Sequence, residues 1–200
     1  GLVTAGYGEF FDVLYAQDDT GGITVFAPAG TASGEGNAAE RGDLVRVVGT
    51  VDIYQGDTEI QFFEATQVRV LTPSYVLSPS LAVSGSVPLP MTTGEAGLEE
   101  NEGLLVVVTG TVVRKESSDT LWINDGSGAL RLFLDGYNGE WSDIVLGDYI
   151  KVASLLSEDY AGPRMRVRNY QMHPGLPDDV LQLSAPPGTW HWAYLPLVEK

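Results

Sequence analysis

Polar and apolar residues alternate along most of this chain. Asp43 to Val51 reads Asp-Leu-Val-Arg-Val-Val-Gly-Thr-Val, and Arg164 to Tyr170 reads Arg-Met-Arg-Val-Arg-Asn-Tyr. A period near two marks strands with one face turned inward, and the three-to-four spacing of amphipathic helices is almost absent. Valine, threonine and tyrosine are frequent, and 24 glycines supply tight turns. Strands are expected near 10–17, 22–27, 43–54 and 58–71. A second series is expected near 104–115, 119–124, 129–134, 148–157 and 164–172. A short helix is expected near Gly139–Ile144, between the third and fourth strands of the second series. The Gly-, Ala- and Ser-rich segment Ala29–Glu40 replaces it with a loop in the first.

The two series are copies. Asp18-Asp19-Thr20-Gly21-Gly22 is answered by Asn124-Asp125-Gly126-Ser127-Gly128, and Gly42-Asp43-Leu44-Val45 by Gly147-Asp148-Tyr149-Ile150. The offsets, 106 and 105 residues, are domain-sized. Five strands with a helix or loop after the third follow the order of the OB-fold. The expected class is therefore all-β, with two tandem OB-fold-like five-stranded Greek-key barrels. The expected divisions are a first domain over 1–73, a Pro-rich connecting strap over 74–103, a second domain over 104–174 and a tail over 175–200. The first copy starts late. Counting back from the turns aligns Gly1 near Val107 and leaves Leu104-Leu105-Val106 without a counterpart, so the first barrel is expected to have an incomplete first strand and an open edge.

Charge narrows the partners. The net charge is −16, and residues 1–75 carry 11 acids against 3 bases. Such a surface repels nucleic acid and anionic membranes at long range and suits extracellular solubility or divalent cations. No apolar run reaches the length of a membrane span, so no membrane insertion is expected. Cysteine is absent, which removes disulfides and thiol chemistry.

Tyr15-Ala16-Gln17-Asp18-Asp19-Thr20-Gly21-Gly22-Ile23 resembles the second-to-third strand hairpin of OB-fold domains attached to secreted bacterial nucleases and large surface proteins. Val87-Pro88-Leu89-Pro90, Thr92-Thr93-Gly94-Glu95 and Glu102 to Val112 are similar to the inter-domain passage of that family. The resemblance covers about residues 2–174. It implies the fold and an extracellular or cell-surface location. It does not imply an activity, because these modules accompany enzymes without being them. The terminal Tyr194-Leu195-Pro196-Leu197-Val198-Glu199-Lys200 resembles a short motif on secreted bacterial proteins.

Candidate chemistry is sparse. There are two histidines, His173 and His191, and no metalloprotease, phosphate-loop or nucleophile-elbow pattern, so no enzyme is expected. The turn acids Asp18, Asp19 and Asp125 admit two readings: calcium ligands, or ordinary hairpin chemistry. Arg164, Arg166 and Arg168 lie at alternate positions and with Arg114 and Lys115 admit two readings: a polyanion site for nucleic acid or polysaccharide, or a solvent face pairing with neighbouring acids. Trp122, Trp141, Tyr149 and Tyr160 are candidate stacking residues, or core.

The tail completes the picture. Trp190-His191-Trp192-Ala193-Tyr194-Leu195-Pro196-Leu197-Val198 is aromatic enough to be a strand, with Trp190, Trp192 and Tyr194 on one face and Leu195 and Leu197 on the other. A missing strand at one end and a spare one at the other describes strand donation. The expected function is a secreted, non-enzymatic subunit that self-associates head-to-tail into a filament, with packing of the tail on its own chain as the competing arrangement. The alternative is a nucleic-acid- or polysaccharide-binding accessory module.

Overall fold

The computed structural model describes residues 1–10, 13–26, 39–64, 67–73, 89–134, 141, 144–167 and 180–183. Within them the protein is all-β and consists of two OB-like units. The first contains β1 (Leu2–Phe10), β2 (Val13–Gln17), β3 (Gly22–Phe26), β4 (Leu44–Val47), β5 (Thr50–Tyr54), β6 (Asp57–Gln61) and β7 (Val68–Thr72). They form one sheet in the order β5-β6-β3-β2-β1-β4-β7. The second contains β8 (Leu89–Pro90), a one-turn helix α1 (Thr93–Ala96), β9 (Leu105–Lys115), β10 (Thr120–Asn124), β11 (Ala129–Leu134), β12 (Tyr149–Asp159), β13 (Gly162–Val167) and β14 (Val180–Leu183). Its order is β14-β12-β13-β11-β10-β9-β8, and pairing of β12 with β9 closes five strands into a barrel.

The repeat is visible bond by bond. β13 pairs in parallel with β11, as β6 does with β3. β14 pairs antiparallel with β12, as β7 does with β4. The single long β12 corresponds to two strands in the first copy, β4 and β5. The expected strand over 43–54 breaks at Val48 and Gly49, where a Cβ on Gly49 would lie 2.2 Å from the Gln61 carbonyl oxygen. The expected strand over 58–71 is likewise two, β6 and β7, because the chain leaves β3 to join β4. The expected strand over 10–17 is β2 alone, and Leu2–Phe10 is a strand of its own. Most of the expected helix near Gly139–Ile144, and residues 168–172 of the last expected strand, lie outside the described residues. Trp141 and Ile144 are buried in the second core.

Each barrel has its own interior. Val3, Leu14, Ala16, Val25, Val45, Phe62 and Val68 fill the first. A larger set around Val106, Leu121, Ile123, Leu130, Leu132, Ile150 and Met165 fills the second. A third cluster lies between them: Ala5, Phe10, Val13 and Tyr15 meet Leu105 and Leu155. For this reason β2 is buried on both faces along its whole length. At the same seam the backbones of Gly22 and Gly103 touch, since a Cβ on Gly22 would fall 2.1 Å from the Gly103 carbonyl carbon.

The connector joins the second barrel before β9 begins. Leu89 and Pro90 pair in parallel with Val106 and Val107. Thr92 starts α1 with a capping box closed by Glu95. The buried Thr93 then ties α1 to the second hairpin turn, its hydroxyl donating to Asp125 Oδ1 at 2.8 Å.

Candidate functional site

Two features stand out: an open edge on the first barrel and a polar seam between the barrels. The edge follows from strand lengths. Val3 N donates to the Asp43 carbonyl and Gly42 N to the Val3 carbonyl; Val112 makes the same pair of bonds with Asp148 and Gly147. Val3 therefore corresponds to Val112, and Gly1 to Gly110. In the second barrel the five residues before Gly110, Leu105 to Thr109, pair with Lys151 to Leu155. Their counterparts in the first copy are Arg46 to Thr50. Counted from Gly1, the second copy thus carries six further residues in this strand and its lead-in, Leu104–Thr109, where turn-to-turn counting gives three. That count failed because the two copies differ in length between strand and turn.

β1 meets β4 only near Leu2–Leu44, with Gly1 and Val45 exchanging two further bonds. Beyond Val45, among the described residues, this edge has no ladder partner on the β1 side. Within Arg46–Thr50, Val48 is apolar and exposed, and just past it Val51 is 66% and Ile53 68% accessible. An exposed apolar strand edge is a template for a further strand.

The seam is polar where the edge is not. Arg166 projects from β13 into the first barrel. It is 8% accessible, donates to the Tyr15 hydroxyl at 2.5 Å, and lies 5.4 Å from the Phe10 ring centre. Burial pushes the Tyr15 hydroxyl up to about 12, against the opposing pull of the Arg166 charge. Thr24, beside Tyr15, donates to Asp57 Oδ2 at 3.2 Å. Asp57 in turn shares a hydrogen bond with the Glu102 carboxyl of the second unit. Burial, and then this contact, raise Glu102 to about 8. Glu102 Oε1 accepts from Thr58 N at 2.7 Å. The network starts on the second barrel, crosses the first and returns. Gln17 adds a further bond, its Oε1 accepting from Leu105 N at 2.9 Å.

The acids named from the sequence do not converge. Asp18 accepts from Thr20 N at 2.8 Å and Thr20 Oγ1 at 2.6 Å, and these bonds hold its carboxyl below the usual range. Asp19 is exposed in the same turn. Burial works against the Asp125 charge, but hydrogen bonds from Ser127 and Thr93 outweigh it and bring the carboxyl down to about 2. Among the described residues no three His, Cys, Asp or Glu side chains are grouped to hold a metal ion. The calcium reading of Asp18, Asp19 and Asp125 therefore finds no gathered ligand set there.

Arg164 and Arg166 do share a face of β13, but the first barrel covers part of it. Arg164 sits 4.8 Å from the Phe133 ring centre and pairs with Asp159 at 2.8 Å. Both guanidiniums are thus held by neighbours inside the protein. Arg168 lies outside the described residues. So do Trp190, Trp192, Tyr194, Leu195 and Leu197, and both histidines. Trp141 and Tyr149 are core, Tyr160 is exposed, and Trp122 lies under the Arg114 guanidinium at 5.5 Å.

Sequence reasoning did not single out Tyr15, Thr24, Asp57 or Glu102 as site residues. One signal was available: Asp57-Thr58-Glu59-Ile60 puts two acids at alternate positions of a strand, on the face that is buried.

No protein-family model and no curated protein matches this sequence. Among solved structures the chain is similar to a hypothetical protein, ygiW, from E. coli, at 14% identity and a TM-score of 0.34, covering 50% of this chain and 94% of that one. It is similar to the p204 HINb domain at 14% identity and a TM-score of 0.34, covering 77% and 78%. It is also similar to a murine DNA-binding protein bound with double-stranded DNA, at 12% identity and a TM-score of 0.42, covering 93% and 97%. Overlaps this loose say nothing about activity, and the fold assignment rests on the strand pairing above.

Proposed function

We propose that this chain is a secreted, non-enzymatic structural subunit whose first barrel is completed by a β-strand from a second copy. The observation that supports it is the exposed apolar edge along β4 and β5, opposite which the second barrel carries five extra residues of β9. The occupant is the C-terminal segment Trp190–Val198, which has the length and alternation of one strand. Main-chain pairing would supply affinity, and alternate side chains would cover Val51 and Ile53. Because donor and acceptor are different segments of the chain, the contact is head-to-tail and extends into a filament. The accessory-module reading is weaker, since Arg164 and Arg166 are already engaged within the protein.

Deletion of Trp190–Lys200 tests this. The intact chain is expected to form filaments by electron microscopy, and the truncated chain to be monomeric with its second barrel folded. A peptide of the tail sequence should then raise the melting temperature of the truncated chain. Intact and truncated chains that are both monomers of equal stability would refute the reading. An intact monomer destabilised by truncation would place the tail on its own barrel and end the filament reading.

A further inference from the structure

A half-enclosed cleft of about 410 Å³ lies where the two barrels meet. Its one residue on β5 is Tyr54, which lies past Arg46–Thr50, the stretch whose counterparts pair with β9 in the second barrel. Its volume is at the lower end of small-molecule pockets, which run from roughly 300 to 1,000 Å³. The apolar part of its lining is formed by Phe10, Val13 and Phe26. Over it stands Tyr54, at the end of β5, 60% accessible. Tyr54 is presented by a two-residue hairpin turn in which Gln55 (φ +57°) and Gly56 (φ +106°) are both left-handed, as that turn type requires. The tip of this hairpin rests on the second barrel, where a Cβ on Gly56 would lie 3.2 Å from Glu158 Cγ. One wall of the cleft is thereby fixed to the other.

The polar lining carries both signs. Asp57, Glu59 and Glu158 bring carboxylates, Arg164 and Arg166 bring guanidiniums, and the Gln55 amide supplies both donor and acceptor. This balance excludes most ligand classes. A wholly apolar ligand would desolvate these charged groups without replacing their hydrogen bonds. A polyanion meets a chain of net charge −16, and both guanidiniums already hold Asp159 or the Tyr15 hydroxyl. An organic cation would have to sit beside those guanidiniums over rings that Arg166 already faces. A neutral polyhydroxylated ring meets all the conditions. Its hydroxyls donate to carboxylates and accept from the Gln55 amide N–H group, while its C–H face packs on an exposed aromatic ring.

We propose that the inter-barrel cleft is a binding site for a neutral saccharide of one or two rings, with Tyr54 as the stacking face and the Asp57–Glu59 side as the hydroxyl acceptor. This stands independently of the filament reading, because neither Tyr54 nor the cleft lining belongs to the donor segment.

The test is an NMR titration of the full chain, in solution where it is monomeric and by solid-state spectroscopy where it is assembled, with cellobiose, chitobiose and maltose, beside a heparin-derived disaccharide and oligothymidylate as anionic controls. At least one neutral disaccharide is expected to shift the amides of residues 54–59 and 158 saturably, and neither anion to do so. Tyr54→Ala should weaken that binding about tenfold or more. Tyr54 projects from a surface hairpin, so the variant should keep the wild-type urea midpoint. Gln55→Ala provides a second variant with the same expectation. Three outcomes overturn the proposal: no neutral disaccharide shifts these amides up to solubility, an anionic control shifts them instead, or binding is unchanged in both variants. An intact chain that binds the disaccharide but stays monomeric would count against the filament reading alone.

Discussion

Replacing Glu102 by Gln is expected to change how stability depends on pH while leaving the fold intact. Glu102 lies at the seam, half-buried, hydrogen-bonded to Asp57 and accepting from Thr58 N. Burial and the neighbouring carboxylate raise it from 4.5 to about 8 in the folded chain. Between those two values the folded protein holds a proton at Glu102 that the unfolded chain releases. Stability from this group is therefore complete below about pH 4.5 and declines as pH rises towards 8. A wholly shielded carboxyl shifted so far would correspond to about 5 kcal/mol. Water reaches half of this side chain, so screening reduces the expected loss to on the order of 1–2 kcal/mol. Glutamine keeps both contacts, its amide donating to Asp57 and its carbonyl accepting from Thr58 N, but it carries no titrating proton. Urea unfolding followed by tryptophan fluorescence at pH 5, 6, 7 and 8 measures the effect. Wild type should lose stability across this range relative to Glu102→Gln, and the two curves should diverge with rising pH. The lowered carboxyls of Asp18, Asp119, Asp125 and Asp159 titrate below the window, and Tyr15 above it. The two histidines are common to both proteins, so any contribution from them cancels. Parallel curves for the two proteins, or a variant that loses more stability than wild type as pH rises, would refute the protonated carboxyl pair.

Gly103→Ala should destabilise the chain by about 2–4 kcal/mol, because the new methyl would meet Gly22 backbone at 2.4 Å and the backbone there has φ +76°; calorimetry checks it, and an unchanged melting temperature would mean the barrels do not touch there. Gln55→Asn should raise stability by about 0.5 kcal/mol, since asparagine tolerates the left-handed region before a turn glycine, and a lowered urea midpoint would contradict a strained turn. Thr93→Val should cost about 1–3 kcal/mol, as it leaves the Gly128 carbonyl and Asp125 without its hydroxyl. In that variant Asp125 should titrate above its native value of about 2. The stability Asp125 provides above pH 3.8 should then fade at a higher pH during acidification, which carboxyl-resolved NMR would show.

The elements that obey a two-residue period were legible in the sequence. β10, β11 and the start of β12 fall within a residue or two of expectation because each has one face in a barrel and turn glycines at its ends. β2 was harder, since Val13-Leu14-Tyr15-Ala16-Gln17 is buried on both sides and carries no alternation. The break of β4 from β5 depends on Gly49 meeting Gln61, a contact between residues twelve apart that no local pattern announces. The open edge was legible from the repeat alone, although its extent needed the Val3 and Val112 hydrogen bonds. The seam was not legible. Tyr15, Asp57 and Arg166 acquire their roles only when the second barrel covers the outer face of the first. The alternation that placed Arg164 and Arg166 on one side of a strand could not say what lay opposite.

The contact between Gly22 and Gly103 has a mechanical meaning. Tandem modules on flexible linkers bend where one domain ends and the next begins. Here backbone rests on backbone, a shared apolar cluster fills the joint, and Arg166 and Glu102 reach across it from the same side. A bending load at this point would have to open packed core and break charged hydrogen bonds together, so the joint resists it as the barrels themselves do. The pair behaves as one stiff link about two barrels long. In any chain built of such links, compliance resides at the junctions between subunits, and a tug on one end reaches the other with little stretch inside the link.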